Sequence, residues 1–164
     1  MTVDTSGRAV STVPLEGGHL ALDFVNTVGG LYDEPSPEDE LLDEYEDIPT
    51  WCARLGVISE REAGALRAAA RRDPAAAKRA LRAAIRLREL IDGVFRPLSR
   101  GEDPPAELLD RLRDAEREAL AAARLEPADT EAAGALRWTW PAPRELGDPL
   151  HPVVHAAIDL LTHG

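Results

Sequence analysis

Cysteine occurs once, as Cys52, and lysine once, as Lys78, against eighteen arginines. A lone cysteine excludes an intramolecular disulfide and cannot build a four-ligand thiolate zinc site. With no His or Lys beside it in sequence to favour the thiolate, Cys52 reads as a small core residue. No apolar run approaches the roughly eighteen residues that a membrane span needs, and the N-terminus carries no signal-peptide core. The expected location is therefore the cytoplasm, with no membrane partner. Positive charge is also short: 30 acidic residues stand against 19 basic ones, for a net charge of -11. Duplex DNA is held by clustered Lys and Arg without equal acid nearby, so this segment is not expected to grip DNA itself. The basic clusters at Arg67-Arg71-Arg72 and Lys78-Arg79-Arg82 lie in alanine-rich helical stretches and read as solvated faces. Gly-rich phosphate loops, nucleophile elbows and kinase motifs are all missing, and the expectation is that the chain is not an enzyme.

What remains is a chain of 164 residues, enough for one domain with a sizeable core. The small polar residues 1–14 read as a disordered tail, and the domain as residues 15–164. Gly17-Gly18 breaks the chain before a first helix, and Gly29-Gly30 is placed to end it. Tyr32 to Asp47 is strongly acidic, a solvated loop or face, with Ser36-Pro37 able to start a short helix. A short helix carries Trp51 and ends at Gly56. Ser59-Glu60-Arg61-Glu62 is a capping box opening a helix to about Arg72. Asp73-Pro74 caps the longest helix, running to about Ser99, where Gly93 and Pro97 threaten its last turns. Asp103-Pro104 starts another helix, to about Ala123. Leu136, Trp138 and Trp140 alternate with Arg137 and Thr139, the period of a half-buried strand, and pair with Arg124-Leu125-Glu126. A last helix spans about Pro152 to Leu161. The fold class is mainly α (α+β in the loose sense): about six helices and one small antiparallel hairpin.

The organising stretch is Leu20-Ala21-Leu22-Asp23-Phe24-Val25-Asn26-Thr27. At helical spacing His19, Leu22, Asp23 and Asn26 share one face within roughly 80°, and apolar residues cover the rest. A helix apolar nearly all round is buried, so Asp23 and Asn26 must satisfy nearby backbone or line a cavity. This stretch resembles the LxLDFxNT signature that opens the ABATE domain, the N-terminal half of bacterial CGNR-type zinc-finger proteins, which are stress-related transcription regulators. Asp47-Ile48-Pro49-Thr50-Trp51, Leu87-Arg88-Glu89 and Pro152-Val153-Val154-His155 agree with later segments of that family, in the same order. The resemblance covers about residues 15 to 163. It implies a regulatory half that senses a ligand, with DNA contact and zinc confined to a C-terminal finger that would begin just after Leu161. That finger is absent from this sequence, which is read as cut before it in preference to a naturally finger-less relative.

Five residues are candidates for ligand binding: Asp23, Asn26, Trp51, Arg88 and Trp138. In the long helix Leu81, Ala84, Ile85, Ile91 and Phe95 form an apolar stripe, and Arg88 falls inside it. A guanidinium there cannot shed its charge and needs an anion: Asp92, Asp23, Asp159, or a bound carboxylate or phosphate. The pocket is expected between the first and the long helix, with Asp23 and Asn26 as polar contacts. Its occupant would be an unknown small molecule, with an anionic one favoured by Arg88. Trp51, Trp138 and Trp140 wall such a pocket or are simply core. His151 and His155 stand four apart and, with a third ligand, would suit a metal. That leaves two rival readings: a small metal-dependent helical-bundle enzyme, and a ligand-free dimerisation or interaction module that forms a homodimer.

Overall fold

In a computed structural model, residues 19–28, 40–129 and 134–163 are described. They form six α-helices, one 3-10 turn and one two-stranded antiparallel sheet: α1 Leu20–Val25, α2 Asp47–Arg54, α3 Glu60–Arg72, α4 Pro74–Ser99, α5 Ala106–Ala122, β1 Arg124–Pro127, β2 Leu136–Thr139, the 3-10 turn Asp148–Leu150, and α6 His151–His163. The expected tail at 1–14, the glycine pairs 17–18 and 29–30, and the Ser36-Pro37 helix start all lie outside the described residues.

Local chemistry accounts for most boundaries. Ser59 Oγ accepts from the Glu62 N–H at 3.2 Å while Glu62 returns a carboxylate to the Ser59 N–H at 2.7 Å, closing the capping box of α3. Asp73 Oδ1 accepts from the Ala76 N–H at 2.9 Å, and Pro74 stands first in α4. The helix runs on through Pro97 to Ser99, because Pro97 lies in its last turns, and Gly101 at φ +73° then turns the chain out. Two sequence expectations need correction. The fifth helix begins at Ala106, later than Asp103-Pro104 suggested, since Pro105 disfavours helical backbone at the residue before it. The first helix ends at Val25 with Asn26 as its cap, ahead of the glycine pair.

The core gathers Phe24 of α1, Leu41, Leu42 and Tyr45 of the following segment, Ile48 and Trp51 of α2, Ile91 and Val94 of α4, and Val153 and Ala157 of α6. The Phe24 and Trp51 rings meet tilted at 54°, with 5.4 Å between centroids. Short α1 packs against both α4 and α6, while α5 covers α6 and α4 from the other side. Thus α1 is wedged between the long helix and the last one. The hairpin pairs Leu125 with Trp138 and Glu126 with Arg137. It is far less buried than its alternation suggested: Leu125, Leu136 and Trp138 are 52%, 58% and 41% exposed. Two strands are too narrow to cover both of their own faces.

Candidate functional site

Two flanks of α1 hold the polar groups. On the side facing α4, Arg88 is buried at 5% exposure. Its Nη1 and Nη2 donate to the two carboxylate oxygens of Glu40 at 2.6 and 2.5 Å, a two-pronged fit of planar groups. Nη1 also donates to Thr27 Oγ1 at 3.1 Å, and that hydroxyl donates onward to the Phe24 carbonyl at 2.7 Å. Glu40 is delivered by a bridge between Val28 and Glu40, with the Leu41 N–H donating to the Thr27 carbonyl at 3.0 Å. The same Glu40 carboxylate accepts from the Leu41 and Leu42 N–H groups. Burial pushes the Glu40 carboxyl upward. The hydrogen bonds and charge of Arg88, with the two backbone N–H groups, outweigh that push and hold it below its ordinary 4.5. Arg88 is therefore half of an internal ion pair. Its anion is Glu40, where the sequence offered Asp92, Asp23 and Asp159: Asp92 pairs with Arg96 one turn on, and Asp159 with His163.

Separately, α1, the turn between α2 and α3, strand β2 and the start of α6 enclose a solvent-open cleft of about 620 Å³. Its size falls in the usual range for small-molecule sites, roughly 300–1,000 Å³. Leu20, Leu55, Val57, Trp140 and Pro152 supply apolar walls. His19, Asp23, Arg137 and Thr139 supply polar groups. His19 is also the cap of α1, its Nδ1 accepting from the Ala21 N–H at 3.4 Å. Gly56, at φ +71°, has open space where a side chain would stand. Asp23 is buried at 8% exposure and already takes part in an interaction within the fold.

A third cluster joins the hairpin to the last helix. His155 Nδ1 and Glu116 Oε1 of α5 lie 2.6 Å apart. Trp138 meets the His155 ring edge-on at 6.3 Å and Trp140 meets it tilted at 5.5 Å. The Trp140 indole donates to the Ala119 carbonyl at 2.9 Å, which fixes the hairpin onto α5. Among the described residues Glu116 Oε2 is buried with no hydrogen-bond partner.

The five candidate residues thus do not converge. Asp23 lines the cleft; Arg88 is not part of that lining and is tied to Glu40. Asn26 is exposed at the end of α1, because a six-residue helix leaves its cap outside. Trp51 is core against Phe24, and Trp138 sits half-exposed over His155. The cleft that Asp23 lines opens toward β2 and α6, with no residue of the long helix in its lining. His151 and His155 do share α6, but among the described residues no group of three or more His, Cys, Asp or Glu stands together to hold a metal. Cys52 is fully buried, and burial pushes its thiol up to about 12, which makes it inert. Sequence reasoning missed Glu40, Thr27, Arg137 and Glu116. Only Thr27 carried a signal, as the last residue of the opening motif.

A model of the ABATE family, described as "Putative stress-induced transcription regulator", matches residues 18–164. No curated protein and no solved structure matches the chain.

Proposed function

From the premise that the chain belongs to the ABATE family of transcription regulators, we propose that it is the ligand-sensing half of such a regulator. In this reading a small molecule of a bacterial cytoplasm binds the cleft between α1, the α2–α3 turn, β2 and α6. Contact with DNA is left to a zinc finger that would follow the last helix. The observation that carries the reading is the cleft itself. Its walls come from four separate elements, and one of them is α6, the element through which a bound state would pass toward a following finger. A ligand touching all four alters their relative positions only if it binds two arrangements with different affinity. The net charge of -11 supports the division of labour, because a segment so acidic repels phosphate.

The test is a thermal-shift screen of metabolites on the wild type and on Val57→Trp, which places an indole in the cleft. A ligand at a hundred times its Kd stabilises the native state by about 2.7 kcal/mol. The expected result is a shift in the wild type that disappears in Val57→Trp. A compound that shifts both proteins equally binds elsewhere, and the cleft loses its role.

A second reading, an interaction module, draws on the apolar hairpin face. Leu125 and Trp138 are a cross-strand pair, and Leu136 lies beside them on the same face. All three are exposed, and such patches often mark contact surfaces. Light scattering over a concentration series decides it: a mass that doubles with concentration and reverts in Leu136→Ser favours the module over the sensor.

A further inference from the structure

Among the described residues lining the cleft, Arg137 is the one Arg or Lys and Asp23 the one carboxylate; Asp23 is buried and already engaged within the fold, so the surroundings of Arg137 define what its charge is available for. Alternation along β2 puts Arg137 and Thr139 on one face of the strand and Trp138 on the other, toward His155. Arg137 and Thr139 both line the cleft, and His19 caps α1 at the same opening. The carboxylates near Arg137 are Glu126, directly across the hairpin, and Asp129, whose Oδ2 lies 3.0 Å from its Nη2. That ion pair is a surface one: the Arg137 and Asp129 side chains are 52% and 89% exposed. Pairs of this kind hold weakly and exchange partners at little cost. Arg88 is the contrast, since its carboxylate partner is locked by two backbone N–H groups as well. The same cleft that Arg137 lines is walled by Leu20, Leu55, Val57 and Trp140.

We propose that the ligand of this cleft is a small anion with an apolar body, its carboxylate or similar head exchanged for Asp129 on Arg137. The Thr139 hydroxyl supplies a second donor to the head, and the apolar body lies against Trp140, Leu55 and Val57. A guanidinium with its planar fork of donors suits an oxyanion better than a neutral polar head. A cationic ligand would meet Arg137 as a like charge. This inference rests on the cleft being the sensing site, and it names the chemical class that the site takes.

Three matched probes test it: hexanoate, hexan-1-ol and hexylamine, titrated into the full chain labelled with ¹⁵N. Amide signals of Leu20, Val57 and Thr139 report the cleft. Hexanoate is expected to move them, with hexanol and hexylamine at least about tenfold weaker, the worth of one charge-assisted hydrogen bond or more. Arg137→Gln should abolish that preference while leaving the fold intact. Asp129→Asn removes the exchanging carboxylate and should tighten hexanoate a few-fold, which a purely structural Arg137 would not produce. Hexanol binding as tightly as hexanoate, or hexanoate unaffected by Arg137→Gln, overturns the anionic class and leaves the cleft reading standing. Cleft signals that move with none of the three probes overturn it as well. If Val57→Trp also leaves every metabolite shift unchanged, the sensing role falls with it.

Discussion

Arg88 shares its guanidinium between two carboxylate oxygens and one hydroxyl, all inside the fold. Removing one member of such a buried pair strands the other charge. Arg88→Met is therefore expected to cost about 2–4 kcal/mol in urea denaturation, at the lower end because Glu40 keeps some solvent contact. Adding Glu40→Gln should recover part of that loss, because the amide oxygen still accepts from the Leu41 and Leu42 N–H groups and no charge is left unpaired. A double mutant no more stable than Arg88→Met would show that the two residues are not coupled. The pH dependence has a definite sign. A carboxylate held below 4.5 in the folded chain adds stability that is complete above pH 4.5 and is lost as pH falls through its lowered value. The urea midpoint should therefore drop on acidification below that point, and the Glu40-dependent share of the drop should vanish in Glu40→Gln. Thr27→Val removes both of that hydroxyl's bonds and should cost about 1–2 kcal/mol by the same measurement.

Helix ends and turns behave as their local chemistry dictates, and they can be tested one at a time. Ser59→Ala removes the Oγ acceptor of the Glu62 N–H and leaves only the backbone half of the capping box on α3, and a loss of about 1 kcal/mol is expected in thermal unfolding. Gly93 is different. A Cβ there would meet the Leu108 side-chain end of α5 at 2.9 Å. That end can swing aside, and alanine gains about 1 kcal/mol of helix propensity over glycine. Gly93→Ala is thus expected to be close to neutral; a large loss would mean that Leu108 has nowhere to go. The element least explained by its own sequence is the hairpin. Its strand pattern forecasts half-burial, yet Leu125, Leu136 and Trp138 remain largely in water, and the hairpin is held by the Trp140 indole on α5 and the rings against His155.

Across the whole chain, acidic residues outnumber basic ones 30 to 19, and none of the helices among the described residues is long and apolar enough to cross a membrane. At about 150 mM salt, where charges are screened beyond roughly 8 Å, this chain should leave a duplex DNA unretarded in a gel. Retardation there would place DNA contact within this segment. The order of elements, the caps at Ser59 and Asp73, the long helix and the position of the hairpin were all legible in the sequence. Each rests on neighbours within a few residues, so the local pattern determines it. The need for an anion at Arg88 was legible too, because a guanidinium within an apolar stripe must be paired wherever the chain goes. Which carboxylate answers it was not: nine acids run from Asp33 to Asp47, and it is the bridge between Val28 and Glu40 that brings Glu40 to Arg88. The cleft is likewise a product of the tertiary structure. His19, Val57, Arg137 and Pro152 are far apart along the chain and share no motif or spacing. The packing of α1 against α6 and of the hairpin against α5 sets which polar groups face one another, and that contact energy has no counterpart in local sequence.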